Sequence, residues 1–133
     1  MFTIGKLAAK IGIKTDTIRY YETIGLIKLP ERGINNYRQY NIEDLRKLQL
    51  IRQAKRAGFS LKEIEELLWI KENSQNVCNE IQARIYSKVD LIDQKIIELH
   101  NIKRTLKTLV INCNNQQKSG RNCPALEIFE NGI

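Results

Sequence analysis

The sequence predicts a mainly α-helical chain: a winged helix-turn-helix head, one long amphipathic helix, and a loop ending in a short helix. Three observations predict it. Only two prolines, Pro30 and Pro124, stand in 133 residues, and proline breaks helix interiors. Two short apolar stripes at helical spacing flank Gly12, the pattern of two helices joined by a tight turn. From Cys78 to Asn112 there is neither Pro nor Gly, and the apolar residues recur by heptads.

In the first helix, Ile4, Leu7, Ala8 and Ile11 form one stripe, and Gly12 stops it. A second helix starts near Lys14 or Thr15, carries Ile18, Tyr21 and Glu22, and ends at Gly25. The small Ala8 lets the two helices cross closely, with Ile18 packing back on the crossing. Between Gly25 and Asn41 the helical period is lost. Pro30, Gly33, Asn35 and Asn36 are turn formers, and Tyr37-Arg38-Gln39-Tyr40 alternates like a short strand. A small β-hairpin is expected there, a wing beside the two helices.

Asn41 is placed to cap the third helix, with Glu43 and Asp44 favourable in its first turn. Leu45, Leu48, Ile51, Arg52 and Lys55 continue that helix to Gly58. Ser60-Leu61-Lys62-Glu63 is a capping box. It opens a fourth helix with Ile64, Leu67 and Leu68 inward and Trp69 a further inward candidate. The polar stretch Glu72 to Asn76 is a joint.

With Cys78 as heptad position a, the a row runs Cys78, Ile85, Ile92, Leu99, Leu106, Cys113, and the d row Ile81, Lys88, Lys95, Ile102, Leu109. Val89, Ile96 and Val110 at e repair the two lysines. A coiled-coil helix is expected, with a long helix packed elsewhere as the alternative. Such a helix has nothing in its own chain to cover it, which predicts a homodimer. After a polar loop from Asn112 to Asn122, Pro124 fits the first turn of a short helix bearing Ala125, Leu126, Ile128 and Phe129. The expected division is 1–72 for the head, 73–112 for the dimerisation helix and 113–133 for the loop and short helix.

Charge and composition narrow the function. The net charge is +7, and residues 1–58 carry all of it, with twelve Lys/Arg against five Asp/Glu. A basic first half suggests a polyanionic partner for that half; a merely solvated basic surface is the alternative. No run of apolar residues is long enough to span a membrane, and no signal peptide is recognisable, so a cytoplasmic protein without a membrane partner is expected. An enzyme finds no support: there is no glycine-rich phosphate loop, no pair of cysteines two apart, and one histidine, His100. Three cysteines are an odd number, so they cannot all pair, and a cytosolic chain keeps its thiols reduced.

The outward face of the second helix includes Thr17, Arg19 and Tyr20. Arg can fork onto a guanine edge or a phosphate, and Thr and Tyr can bond phosphate oxygens. In the wing, Tyr37 and Arg38 suit contacts to the DNA backbone. For Arg19 the alternative is a surface salt bridge to Asp16 or Glu22. For Tyr37 and Tyr40 it is packing within the hairpin, the favoured reading for Tyr40.

Thr17-Ile18-Arg19-Tyr20-Tyr21-Glu22, Gly25-Leu26-Ile27, Asn36-Tyr37-Arg38-Gln39-Tyr40 and Gly58-Phe59-Ser60-Leu61-Lys62-Glu63-Ile64 together closely resemble the MerR family of transcription regulators, over nearly the whole chain. Asn36 stands where many members have Gly, and Asn tolerates a left-handed backbone. The resemblance implies a homodimer joined by an antiparallel coiled coil and bound to double-stranded promoter DNA beside RNA polymerase. It also implies a mechanism. Such promoters have an overlong spacer, and two extra base pairs rotate one polymerase element by roughly 70°. The effector-bound dimer distorts the DNA and realigns the elements, at a deformation energy on the order of 1–6 kcal/mol.

The resemblance further implies a divalent heavy-metal effector held by Cys78, Cys113 and Cys123. Cys78 and Cys113 are 35 positions apart, in one heptad row but about 50 Å along a helix. In an antiparallel pair, Cys78 of one helix lies beside Cys113 of the other, and Cys123 can fold back to the same place. Thiolates select soft or borderline metals. Copper(I) sensors of the family lack a thiol at the Cys78 position. Zinc(II) sensors add a second cysteine and a loop histidine, where this chain has Asn114 and no histidine. Three thiolates suit mercury(II), lead(II) or cadmium(II). Cys123-Pro124 resembles the mercury sensors, although the nine-residue loop between Cys113 and Cys123 is one longer than expected for them. Mercury(II) is the favourite; zinc, cadmium and lead, or a thiol redox sensor, are the alternatives. Filling of apolar heptad positions is the plain alternative for Cys78 and Cys113.

Overall fold

The computed structural model describes residues 1–30, 38–115 and 122–132. Six helices are described: α1 (Ile4–Ile11), α2 (Thr15–Thr23), α3 (Ile42–Arg56), α4 (Leu61–Asn73), α5 (Val77–Asn115) and α6 (Pro124–Glu130). They form two compact units, Met1–Gln82 and Ala83–Ile133.

Local chemistry sets most helix ends. Thr3 caps α1, its hydroxyl accepting from the Lys6 amide. Asn41 and Ser60 each open a helix with a reciprocal capping box, closed by Asp44 and Glu63. Such a cap contributes on the order of 1 kcal/mol. Gly12 ends α1 at φ 81°, the left-handed region in which glycine carries no Cβ penalty. A Cβ there would also stand 2.7 Å from Nη1 of Arg52 on α3, the far end of a flexible side chain that can move aside, so the left-handed backbone is what calls for glycine.

In the N-terminal unit α1 packs on α2 and α3, and α3 on α4. Leu7, Ala8, Ile11, Ile18, Tyr21, Leu26, Ile27, Tyr40, Leu48, Ile51, Ile64 and Leu68 close one core. Lys47 and Glu72 pair at 3.6 Å across α3 and α4. Among the described residues no buried side-chain nitrogen or oxygen lacks a partner.

Trp69 does not point inward. It is 62% exposed, while Ile70 is buried. At 100° per residue Trp69 stands roughly 150° from the mean direction of Ile64, Leu67 and Leu68, so the packed face excludes it. Most of the expected hairpin, residues 31–37 with Tyr37, lies outside the described residues. What is described at its base is an antiparallel bridge between Phe2 and Tyr40, with amide-to-carbonyl bonds of 2.7 and 2.8 Å. The chain start thus pairs with the residue that leads into α3, a contact the sequence did not suggest.

The C-terminal unit is built differently. The heptad residues Ile85, Ile92, Leu99, Ile102 and Leu106 are exposed, Leu99 to 64%, and Leu109 is buried. α6 begins at Pro124, with Cys123 as its N-cap residue. Among the described residues no helix is long and apolar enough to cross a membrane.

Candidate functional site

Two groups of residues carry chemistry. The first is on α2. Ile18 and Tyr21 face the core, which turns Arg19 and Tyr20 to solvent and leaves Thr17 half-buried. Arg19 Nη1 lies 3.1 Å from Asp16 Oδ1, with both side chains well exposed. That is the surface salt bridge weighed for Arg19, and exposed pairs contribute only about 0–1 kcal/mol. It holds Arg19 weakly and leaves it available to another anion.

At the end of α2, Glu22 is buried, although it is charged. Its Oε1 accepts from the Tyr40 hydroxyl at 2.7 Å, and its Oε2 accepts from Arg38 Nη1 at 3.1 Å. Burial, then the neighbouring Glu22 carboxylate, push the Tyr40 hydroxyl up to about 12, since both disfavour a phenolate. Burial also raises Tyr21. Tyr40 is therefore core, as favoured. Arg38 is tied to α2 rather than standing apart in the wing. Its side chain keeps about a third of its exposure. Glu22 was not singled out as a site residue from the sequence; an acid one turn after Ile18 on the inward stripe is the signal that could have found it.

The second group is the cysteines. All three are free thiols, with Cys78 exposed and Cys113 and Cys123 half-buried. Cys113 in the last turns of α5 and Cys123 at the start of α6 stand with sulfurs 3.9 Å apart. A disulfide would need about 2.05 Å. At 3.9 Å the two thiols are within hydrogen-bonding distance of each other, and two sulfurs on one ion, about 2.3 Å from it each, would stand at a similar separation, about 3.8 Å. The Cys123 thiol is lowered, first by the Leu126 backbone amide and further by Cys113 and the Ala125 amide, against some desolvation. Those amides favour the thiolate although no side-chain capping hydrogen bond is closed at Cys123. Cys78 has Gln82 as its neighbour, Nε2 to Sγ 3.8 Å. Among the described residues no group of three Cys, His, Asp or Glu gathers around one point. Cys113 and Cys123 thus stand as a pair of neighbouring thiols, and His100 is exposed on α5.

Residues 2–69 match the family model described as MerR HTH family regulatory protein, and residues 45–109 match the one described as MerR, DNA binding. The chain is 38% identical to the HTH-type transcriptional regulator HmrR of Rhizobium leguminosarum bv. viciae, covering 97% of this chain and 98% of that protein. It is 36% identical to the mercuric resistance operon regulatory protein of Bacillus cereus, over 95% of each. The crystal structure of the transcription regulator PbrR691 from Ralstonia metallidurans CH34 in complex with lead(II) superposes with a TM-score of 0.84 at 29% identity, covering 97% of this chain and 99% of that one.

Proposed function

The chain belongs to the MerR family of helix-turn-helix transcription regulators, and on that premise we propose that it is a heavy-metal-responsive regulator whose effector bridges two subunits. As a homodimer it binds promoter DNA through Thr17, Arg19 and Tyr20 on α2 and through Tyr37 and Arg38 of the wing. A divalent soft ion, mercury(II) in first place, joins Cys113 and Cys123 of one subunit to Cys78 of the other. The loaded dimer distorts an overlong promoter spacer and lets RNA polymerase engage both elements.

One observation carries the metal reading: Cys113 and Cys123, ten positions apart in sequence, hold their sulfurs 3.9 Å apart, near enough for one ion to take both. A relative named for mercuric resistance and a structural neighbour holding lead support the class of ion. Three soft sulfur donors support mercury over zinc, which prefers four ligands. The same two thiols could instead close a disulfide under peroxide, which is the second reading.

A mixed dimer tests the shared site. One subunit carries Cys78→Ser and the other Cys113→Ser with Cys123→Ser. One of its two sites collects every substitution; the other is complete. The expected result is one mercury(II) ion bound with near wild-type affinity, although neither parent homodimer binds tightly. A mixed dimer without a tight site would refute the shared site. Retention of the response after metal removal, with a response to peroxide, would favour the redox sensor.

A further inference from the structure

A helix-turn-helix core gains nothing from a buried carboxylate as such. Taking one out of water is costly and is offset only by good partners, and an apolar residue one turn after Ile18 would pack against the same core. Glu22 is buried nonetheless, and its two partners come from elsewhere in the chain. Arg38 and Tyr40 are 16 and 18 residues later, on the arm of chain that leads into α3. That arm is itself anchored, because the Tyr40 backbone pairs with Phe2.

The two bonds divide the work. The Tyr40 hydroxyl, buried and 2.7 Å from Oε1, fixes the plane of the carboxylate. Oε2 then faces Arg38, whose side chain is 36% exposed against 2% for Glu22. A purely internal ion pair would bury both partners. Here the acid is inside and the guanidinium reaches the surface. A guanidinium has five N–H donors in a rigid fork, so it can hold a carboxylate through one nitrogen and still meet a phosphate.

We propose that Glu22 is a positioning residue for DNA binding: it holds Arg38 at a fixed offset from α2, so that the wing meets a phosphate while α2 lies in the groove. Burial and pairing also keep the Glu22 charge away from the DNA. This rests on the DNA-binding reading above, and Glu22 itself touches no DNA.

The probe is a duplex selected by the wild-type protein from a random library, with affinity measured by fluorescence anisotropy over a range of salt. Arg38→Ala removes one phosphate contact from each subunit of the dimer, so it is expected to weaken binding at least about tenfold and to flatten the slope of log affinity against log salt by about 1.8. Glu22→Gln should reproduce both effects to within about twofold, and the double variant should be no worse than either single. Arg38→Lys keeps the charge but not the fork, and should lose about as much as Arg38→Ala. A merely structural Glu22 would lower the melting temperature, leave the salt slope unchanged, and multiply with Arg38→Ala; that pattern overturns the proposal. If Glu22→Gln does not fold, Arg38→Lys decides, and wild-type affinity with a wild-type slope overturns it. A wild-type protein that selects no duplex would remove the DNA-binding reading itself, a failure distinct from that of Glu22 alone.

Discussion

The two units of this chain solve the hydrophobic problem in opposite ways. In Met1–Gln82 the apolar side chains of α1 to α4 meet one another, and Leu7, Ile18, Leu48, Ile51 and Ile64 are fully buried. In Ala83–Ile133 the apolar stripe of α5 is turned to solvent over most of its length, and α6 adds Leu126 and Phe129 to the exposed set. Exposed apolar area on this scale marks an interaction surface. The difference teaches where each part finds its stability: the first unit within its own chain, the second, on the homodimer proposed above, in another copy.

The largest expected effect breaks the comparison where it is sharpest. Leu99 and Leu106 are exposed a positions of the heptad. Replacing both with Glu should abolish pairing of α5 without touching the N-terminal core. Each leucine buried in a pair contributes about 1.5–3 kcal/mol, so the dimer should weaken by at least roughly a hundredfold. Sedimentation equilibrium reads this directly. A double variant that dimerises as tightly as wild type would mean that the stripe is covered by something else.

Alkaline titration sharpens the other side. Tyr40 is raised from 10.0 to about 12 in the folded chain. A group raised on folding contributes stability that is fully present below its unfolded value and lost as pH rises through the folded one. The N-terminal unit should therefore lose on the order of 2–3 kcal/mol between about pH 10 and pH 12. Tyr40→Phe should remove that part of the loss. Chemical denaturation at fixed pH values, followed by the Trp69 emission of the N-terminal unit, checks it. An unchanged alkaline loss in Tyr40→Phe would move the cause elsewhere.

The same contrast explains what the sequence could disclose. Local signals were legible: the caps at Asn41 and Ser60, the left-handed Gly12 and Pro124 in the first turn of α6 each depend on residues within a few positions. The heptad rows of α5 were legible because periodicity is local too. Contacts between distant residues were not. Nothing in the spacing brings Phe2 to Tyr40, or gives Glu22 its two partners across the wing. The cysteines fall between these cases. Their kinds and rows pointed to a thiolate site, but a nine-residue loop can end in many places, and only the fold brings Cys113 and Cys123 to 3.9 Å. Trp69 was misjudged because large aromatic side chains suit a core, while its place on the helix wheel sends it outward.

Arg19→Ala gives the smallest effect and separates DNA binding from metal binding. Arg19 is exposed, and its one described partner is Asp16, also exposed. Breaking that pair changes stability by less than about 1 kcal/mol, so the fold and the melting temperature should hold. On DNA the balance is different. A guanidinium that forks onto a base edge is worth about 1–3 kcal/mol of affinity, less the weak pair with Asp16 that it gives up. The substitution should thus weaken operator binding by up to about 100-fold for each subunit's contact. Because Arg19 stands on α2 and the thiols on α5 and at the start of α6, the factor should be the same with and without metal, and the metal affinity of the free protein should not move. Salt-controlled titration of operator DNA, with apo and mercury-loaded protein, measures both factors. Unchanged affinity would remove Arg19 from the interface, and a factor present in only one of the two states would show that metal binding changes how α2 sits on the DNA.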